Sequence, residues 1–272
     1  MKRFYDGLDD EIKVILLSQI RNLWTHASTA IEGNTLSLGD TAFVLEEGLT
    51  VSGKPLKDHE EVVGHAKAIE LIYQLLDIDK FTETELFTLH KAILTERVMD
   101  IYKPVGGWKK APNYTSYIDQ DGKQSVREYP SPQHTPKLMS QWLDNFNAFF
   151  KQELSRDAAS QAYADLHLDF VTIHPFSDGN GRLARLLSNL PVLKSGFPPI
   201  VVPSTDRQAY KETLSSYQDT IPHLAEVDDM AAFPNNAERT RFLELCARYW
   251  TETMTLLENA QMLQRKRNDR KL

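Results

Sequence analysis

The chain has 272 residues, of which 41% are hydrophobic, and its 31 basic and 38 acidic side chains give a formal net charge of −7. A chain of this length can bury a sizeable core in one large domain or two small ones. The acidic balance argues against a general nucleic-acid binder. The one cysteine, Cys246, excludes a disulfide within the chain and is typical of a reducing compartment. Because no stretch resembles a signal peptide or a membrane span, we expect a cytoplasmic protein without membrane contact.

The first predicted helix runs from Asp9 to Ile31, where apolar residues recur at helical spacing until Gly33 ends the run. Glu32 therefore falls in the last turn of this helix or in a short helix of its own. A carboxylate at a helix C-terminus opposes the helix dipole, so a cation from elsewhere in the chain would stabilise it. The alternatives are a capping box between Thr29 and Glu32, or a glutamate that is simply solvated.

Three more amphipathic helices are predicted before the middle of the chain, over 38–47, from Asp58 onward and from Thr82 onward. Asp58 and Thr82 are interpreted as their N-caps. His90, on the third of these helices, lies on the apolar face and is interpreted as a core or interface histidine rather than as a ligand.

The segment from Pro104 to Pro136 differs, since glycine and proline accompany aromatic residues there. Asp121-Gly122 is a signal for a type I′ turn. We therefore expect a small β-hairpin in which Ser116–Gln120 pairs with Lys123–Arg127. From the residues alone, an ordinary surface hairpin is the simplest interpretation.

The most informative stretch is a run of polar residues between two apolar helical segments: His174-Pro175-Phe176-Ser177-Asp178-Gly179-Asn180-Gly181-Arg182-Leu183-Ala184-Arg185. The sequence 179–181 at a helix start can turn several backbone N–H groups toward one anion. Arg182 and Arg185 lie three residues apart and therefore share a helix face. Together these residues predict a phosphate-binding site with His174 at its edge and Asp178 available for a divalent cation.

Helices are also predicted over 135–154 and 155–173, directly before this motif, and a single last helix is predicted over 236–272. Trp250 and Met254 on the last helix either pack on the core or form a contact in a homodimer. The basic residues at its end are interpreted as solvated.

The motif resembles the signature of the Fic family, His-Pro-Phe-x-Asp/Glu-Gly-Asn-Gly-Arg-x-x-Arg, and every fixed position matches. The resemblance covers the chain from about Ser28 to about Gln218. It implies an all-α fold, a Fic-type helical bundle with a small β-hairpin flap. Family members mostly transfer AMP from ATP to a hydroxyl side chain of a protein. Gly181 fits nucleotidyl transfer, because the Doc-type kinases of the same fold carry a lysine there.

The resemblance implies a catalytic or nucleotide-binding role for the polar residues of the motif, namely His174, Asp178, Gly179, Asn180, Gly181, Arg182 and Arg185. His174 would be the general base that deprotonates a Ser, Thr or Tyr of the target. Asp178 would hold Mg2+ between the phosphates, which Asn180 and the two glycines beside it would bind. Arg182 would contact the β-phosphate and Arg185 the γ-phosphate of ATP.

After the motif, the resemblance gives Tyr210, Tyr217 and Gln218 as candidate contacts with adenine. Relatives often carry an aromatic residue at Lys211 and an asparagine near Gln218, so the base preference stays open. Core packing is the alternative for the two tyrosines. Lys109 replaces an arginine in another family segment, and no role is assigned to it.

The stretch Ser28-Thr29-Ala30-Ile31-Glu32-Gly33 resembles the inhibitory motif of the family, Ser/Thr-x-x-x-Glu-Gly/Asn, placed ahead of the catalytic core. In such relatives the glutamate pairs with the second arginine of the signature and blocks the γ-phosphate. Here the pair would be Glu32 with Arg185, so we expect Ser28 and Glu32 to be inhibitory residues. The hairpin would be the flap that pairs with an extended segment of the target protein.

These assignments divide the chain into three parts within one compact domain. N-terminal helices with the inhibitory motif 28–33 occupy 1–100. A catalytic core over 101–220 contains the flap at about 114–129 and the signature at 174–185. A C-terminal helical extension covers 221–272.

The sequence thus predicts an autoinhibited protein adenylyltransferase that uses ATP and Mg2+ on a protein docked at the flap, with self-modification and a homodimer left open. One alternative is a hydrolase on the same site, which removes AMP with a water positioned by Glu32. A metal-dependent hydrolase using His167, His174 and Asp178 is a second. A third is a non-catalytic module that binds nucleotide and peptide, although mere binding has no need of a base such as His174.

Overall fold

The computed structural model describes residues 2–94, 103–118 and 122–269. The helices before the hairpin are α1 (Asp10–Ile31), α2 (Leu38–Glu47), α3 (Leu56–Gln74) and α4 (Glu83–Ile93). The hairpin consists of β1 (Tyr114–Ile118) and β2 (Gln124–Glu128). The later helices are α5 (Thr135–Phe150), α6 (Arg156–Ile173), α7 (Asn180–Leu187), α8 (Asn189–Lys194), α9 (Arg207–Asp219), α10 (Ala237–Tyr249) and α11 (Thr251–Asp269). The expectation of a helical protein with one small hairpin is confirmed, and no described helix has the length and apolarity needed to cross a bilayer.

Helix α6 lies at the centre of the fold, and α5, α7, α8 and α10 pack around it. Its residues are apolar or small on nearly every side, as with Ala162, Leu166 and Phe170, so that almost the whole helix is buried. Ser155 caps its start by accepting a backbone N–H of the first turn. Its C-terminal cap is His174, which adopts the left-handed conformation with φ 51° and ψ 58°. The signature motif therefore begins at the end of a largely buried helix.

The N-terminal helix α1 packs on the same continuous core that includes α6 and α10. It ends at Ile31, as the residue spacing predicts, and Glu32 is its C-cap residue. The hydroxyl of Thr29 donates to the carbonyl of Thr25 within the helix. The capping-box alternative is therefore wrong, because the helix has already been running for several turns when it reaches Thr29.

One of the two predicted N-caps is right. Thr82 and Glu85 form a capping box at the start of α4. Asp58 is not a cap, because α3 begins directly after Pro55, whose fixed φ suits a helix start. The carboxylate of Asp58 accepts instead from the backbone N–H and the hydroxyl of Thr35, at 2.8 and 2.6 Å. This contact ties the loop that follows α1 to α3.

The hairpin forms where predicted, but its register differs by one residue. Ser116 lies opposite Val126, whereas a two-residue turn would have placed it opposite Arg127. The connection is therefore longer than the turn signal indicated, and Asp121 of that signal lies outside the described residues. The buried guanidinium of Arg127 donates to Gln218 of α9 at 3.0 Å, which holds the hairpin against this helix.

The C-terminal segment forms two helices rather than the single one predicted. The break falls at Trp250, whose indole N–H donates to the carbonyl of Pro198 at 2.8 Å. Thr253 follows with a hydrogen bond to the carbonyl of Pro199 at 2.6 Å, so the chain bends to reach both carbonyls. Trp250 is 1% exposed, which places it in the core of its own chain and not at a dimer contact. Met254 packs against the same core.

Candidate active site

The loop between α6 and α7 is closed by the side chain of Asn180. Its Oδ1 accepts the N–H of Phe176 at 2.9 Å, and its Nδ2 donates to the carbonyl of the same residue at 2.8 Å. The ring of Phe176 stacks on His90 with centroids 3.9 Å apart. His90 in turn accepts the N–H of Gly106 at 2.8 Å and donates to the carbonyl of Asp178 at 3.1 Å. His90 is therefore a core histidine, as predicted, and it also fixes the loop at Asp178.

The imidazole of His174 is held at its Nδ1 edge and on one face. The side-chain amide nitrogens of Asn113 and Asn180 lie 2.8 and 3.1 Å from Nδ1. The ring of Tyr129 stacks on the imidazole with centroids 3.9 Å apart and planes 8° from parallel. These contacts fix the plane of the ring. Because amide nitrogens donate, Nδ1 is the acceptor here and Nε2 carries the proton of the neutral ring.

The guanidinium of Arg185 is buried and is shared between α1 and α9. Its Nη2 donates to Oε1 of Glu32 at 2.6 Å and to the carbonyl of Ser28 at 2.9 Å. Its Nε donates to the hydroxyl of Ser28 at 3.0 Å, and its Nη1 to the hydroxyl of Tyr210 at 3.4 Å. Burial raises the pKa of Glu32, but the charge and hydrogen bond of Arg185 outweigh it and hold the pKa below its ordinary value. Glu32 is therefore an ionised partner of Arg185 at neutral pH.

The carboxylate of Glu32 lies against the first turn of α7. A Cβ on Gly181 would meet Oε1 of Glu32 at 2.7 Å and Nη1 of Arg185 at 3.1 Å, so a glycine is what leaves room for the ion pair. The first N–H groups of a helix have no intrahelical acceptor and favour an anion. Glu32 thus occupies the place at the helix start where an anionic ligand would bind.

Arg182 and Asp178 form a second ion pair of the motif. Nη2 of Arg182 donates to Oδ2 of Asp178 at 3.1 Å, and its Nη1 lies 3.8 Å from Oε1 of Glu61. Within the part of the chain that the structure describes, the buried Nε of Arg182 has no acceptor. The guanidinium therefore keeps a donor for an anion. The side chain of Asp178 is 61% exposed, so its carboxylate can reach a cation.

The adenine candidates lie in different surroundings. The hydroxyl of Tyr210 accepts from Arg185. Tyr217 and Gln218 are buried and bind other residues. The hydroxyl of Tyr217 accepts from Arg239 at 2.7 Å, and Gln218 accepts from the flap residue Arg127 at 3.0 Å. Both residues join α9 to its neighbours, and their contact with a nucleobase stays a prediction.

The metal-hydrolase alternative gains no support. Nε2 of His167 lies 2.8 Å from the hydroxyl of Tyr210, and its ring packs against Phe242, while His174 stacks on Tyr129. Across the described ranges, no group of three or more His, Cys, Asp or Glu side chains could hold a metal ion.

The sequence analysis missed several residues that contact this site. Asn113 and Tyr129 flank the hairpin and hold the imidazole of the motif. Lys109, which was given no role, is buried beside Asn113. Arg207 donates from Nε to the carbonyl of Ile31 at 2.6 Å, at the end of α1. Lys109 had a signal in the sequence, its position in the family segment, whereas the contacts of Asn113 and Tyr129 with His174 join residues far apart in the chain.

Comparison with known proteins gives the family: the Fic/DOC family model matches residues 80–192. Protein adenylyltransferase fic-1 of Caenorhabditis elegans is 31% identical over 216 residues, 78% of this chain and 38% of that protein. Protein adenylyltransferase Fic of Nematostella vectensis is 32% identical over 234 residues, 79% of this chain and 51% of that protein. The chain belongs to the Fic/DOC family, and it spans less than two thirds of the length of these relatives.

Solved structures show the same fold. A Fic domain containing signaling protein from Bacteroides thetaiotaomicron has a TM-score of 0.76 at 29% identity, covering 93% of this chain and 92% of that one. A Fic family protein from Desulfovibrio desulfuricans has a TM-score of 0.62 at 25% identity, covering 88% and 65%. The predicted Fic-type fold is therefore confirmed.

Proposed function

We propose that this chain is an autoinhibited protein adenylyltransferase, which transfers AMP from ATP to a Ser, Thr or Tyr hydroxyl of a protein. The observation that carries the proposal is the start of α7, whose Arg182 and Arg185 bind Asp178 and Glu32 directly after the loop that begins at His174. The relatives named protein adenylyltransferases support the same activity.

Attack of a hydroxyl on the α-phosphorus needs a base for the hydroxyl proton, neutralised charge on the leaving pyrophosphate, and alignment. In the proposed reaction, His174 takes the proton at Nε2, which requires the neutral ring to carry its own N–H on Nδ1 when the target binds. The first turn of α7 and Arg182, with its unused Nε, bind the phosphates, and Arg185 binds the γ-phosphate. These donors are of the kind that phosphate groups require.

The exposed carboxylate of Asp178 fits a Mg2+ ion that also contacts the phosphates, because Mg2+ is usually bound by one or two carboxylates together with substrate oxygens. Such an ion would neutralise charge on the phosphates. Arg182 now binds this carboxylate at 3.1 Å and would remain beside it.

Autoinhibition is supported by the ion pair between Glu32 and Arg185. The carboxylate takes one donor of Arg185, its Nη2, and the space beside Gly181 that a γ-phosphate would need. ATP with its phosphates in line can therefore bind only when Glu32 has moved away.

We further propose that the target docks on the hairpin. In the described part of the chain the sheet has two strands, so each strand offers one edge to an extended peptide. Tyr114 and Val126 on these strands are 57% and 62% exposed. Because the hairpin is joined to residues that hold His174, a peptide at its edge would lie close to the base.

The test compares the protein with its Glu32→Gly variant in the presence of Mg2+ and of ATP labelled at the α- or the γ-phosphate. The first readout is self-labelling, and a cell lysate then serves as the source of target proteins. Transfer of the α-label to protein supports AMP transfer. Transfer of the γ-label would identify a kinase and overturn the proposal.

Removal of AMP from a modified protein is the second candidate, and it is favoured by the partial exposure of Glu32. Its side chain is 33% exposed, so the carboxylate that pairs with Arg185 can also reach a water molecule. Loss of α-label from pre-modified protein, with no transfer by either the protein or Glu32→Gly, would select this function.

The pH dependence of transfer should lack the inflection of an ordinary histidine. Burial, reinforced by the charge of Lys109 and opposed by that of Glu32, lowers the pKa of His174 to about 3. A lowered pKa keeps the ring neutral as the pH falls, so the base stays active through the ordinary histidine pKa of about 6.5. Initial rates measured with Glu32→Gly, with the fold checked by circular dichroism at each pH, test this. An inflection near the ordinary value would show a solvated ring.

Loss of the contact between Arg207 and the end of α1 should weaken the inhibition. Nε of Arg207 donates to the carbonyl of Ile31 at 2.6 Å, and Ile31 is the residue directly before Glu32. We expect Arg207→Met to raise α-label transfer by about fivefold, the value of one hydrogen bond near 1 kcal/mol. Gln208→Met is the matched control. An equal increase in the Glu32→Gly background would contradict the explanation, since no ion pair is left there to weaken.

A further inference from the structure

Helix α9 contacts both the end of α1 and the guanidinium of Arg185. At the start of α9, Nε of Arg207 donates to the carbonyl of Ile31 at 2.6 Å. Three residues later, the hydroxyl of Tyr210 accepts from Nη1 of Arg185 at 3.4 Å. One face of α9 therefore borders the place where Glu32 pairs with Arg185.

Lys211 belongs to this face of α9. It follows Arg207 by four residues and Tyr210 by one, and side chains four residues apart are neighbours on a helix surface. The residue is exposed, and no hydrogen bond joins its ammonium group to another residue of the described ranges. The ammonium group therefore keeps its donors for an anion beside the end of α1.

The carboxylate of Glu32 interacts with the charge of Lys211. Burial raises the pKa of Glu32, and the charge and hydrogen bond of Arg185 lower it. The charge of Lys211 lowers this pKa further, ahead of the charge of Arg182. The interaction is mutual, since burial lowers the pKa of Lys211 and the charge of Glu32 opposes this change. The charge of Lys211 thus reaches the anion that lies at the start of α7.

The position of Glu32 links Lys211 to the nucleotide. Its carboxylate lies beside Gly181, where the proposed mechanism places the γ-phosphate. An ammonium group that stabilises a carboxylate at this position also stabilises a phosphate there, and a terminal phosphate carries more negative charge. The flexible stem of a lysine lets its ammonium group follow either anion. A nucleoside diphosphate lacks the group that would replace the carboxylate.

We propose that Lys211 is a specificity-determining residue, whose ammonium group stabilises Glu32 in the inhibited state and the γ-phosphate of a nucleoside triphosphate once Glu32 has moved. The proposal rests on the proposed function, because it concerns the nucleotide of that reaction. Lys211 favours a triphosphate over the corresponding diphosphate. Because it stabilises both anions, it has little effect on the balance between the inhibited state and the nucleotide-bound state.

The test measures nucleotide affinity by titration calorimetry in the presence of Mg2+. The probes are ATP and ADP analogues with a methylene bridge between the α- and β-phosphates, because these analogues transfer no AMP. Lys211→Met and Lys211→Arg are compared in the Glu32→Gly background, since methionine removes the charge and arginine keeps it. Lys151→Met is the matched control, because Lys151 is an exposed lysine directly after α5.

In the Glu32→Gly background, we expect Lys211→Met to raise the Kd of the triphosphate analogue about fivefold, the equivalent of about 1 kcal/mol for a partly exposed charge pair. The Kd of the diphosphate analogue should stay close to that of the parent. Lys211→Arg and Lys151→Met should resemble the parent with both analogues. An unchanged Kd of the triphosphate analogue in Lys211→Met, or an equal loss of affinity for both analogues, would overturn the proposal.

The same substitution in the protein that retains Glu32 tests the interaction with this carboxylate. Lys211→Met should leave the Kd of the triphosphate analogue nearly unchanged there, because it weakens the competing carboxylate and the bound phosphate alike. A loss of affinity as large as in the Glu32→Gly background would contradict a role of Lys211 in holding Glu32. Thermal unfolding followed by circular dichroism identifies any variant that does not fold.

The affinities separate this proposal from the proposed function. If the Glu32→Gly parent binds the triphosphate analogue but transfers no α-label from ATP, AMP transfer is wrong, and the two Kd values still decide the role of Lys211. If this parent binds neither analogue, the site does not bind nucleotides and both proposals are wrong.

Discussion

Replacement of Glu32 by glycine is expected to raise the rate of α-label transfer by about 30- to 150-fold, the equivalent of about 2–3 kcal/mol. This free energy lies between the values typical of surface ion pairs and of buried ion pairs. The reason is that the side chain of Arg185 is 2% exposed while that of Glu32 is 33% exposed. The variant removes the carboxylate from the start of α7 and leaves Arg185 bound to Ser28 at 2.9 and 3.0 Å. The guanidinium is then already placed for a γ-phosphate.

The measurement is the initial rate of self-labelling and lysate labelling with α-labelled ATP and Mg2+. Glu47→Gly is the matched control, since Glu47 is the last residue of α2 and precedes Gly48, much as Glu32 is the C-cap of α1 and precedes Gly33. Glu32→Gln should give an intermediate rate, because an amide keeps the size but loses the charge. Equal rates for the protein and Glu32→Gly, with transfer present in both, would show that the ion pair does not inhibit.

The inhibition should persist over the physiological pH range. The pKa of Glu32 lies below its ordinary value, so the ion pair is intact above that value and is lost only as the pH falls through the lowered pKa. A change of pH near neutrality is therefore not expected to release Glu32. On the proposed mechanism, relief of inhibition requires movement of the end of α1, where Arg207 donates to the carbonyl of Ile31.

Local patterns were enough to predict the end of α1, the start of α4 and the signature motif. Helical spacing placed the end of α1 at Ile31, and the capping box at Thr82 marked the start of α4. Glu32 and Arg185 could be paired from the sequence through the resemblance to two family motifs, although they are 153 positions apart. The structure places them in contact at 2.6 Å.

Contacts between distant segments could not be predicted in the same way. Asn113 and Tyr129 have no local pattern, because their partner His174 lies in another segment of the chain. The turn signal predicted a hairpin register that differs by one residue from the observed one. The packing of Arg127 on α9 joins distant segments, and no local rule for turns includes it. The break at Trp250 depends on the carbonyl of Pro198, which helical periodicity cannot report.

The second large effect is expected for His174→Ala in the Glu32→Gly background, where transfer should fall by about 100- to 10,000-fold, the range of general-base catalysis. In the described part of the chain the imidazole contacts Asn113, Asn180 and Tyr129, and none of these contacts is with Arg182 or Arg185. Affinity for Mg-ATP should therefore stay close to that of the Glu32→Gly parent. The measurements are labelled transfer and nucleotide binding by calorimetry.

The left-handed backbone at His174 requires a second variant. Alanine is strained at φ 51°, whereas asparagine tolerates this conformation and cannot act as a base at neutral pH. His174→Asn should therefore unfold at a temperature closer to that of the parent and be as inactive as His174→Ala. If both variants bind Mg-ATP but only alanine loses activity, the loss comes from the loop conformation. If both still transfer AMP at the parent rate, the proton of the target hydroxyl goes to another acceptor and the assignment of His174 as the base is wrong.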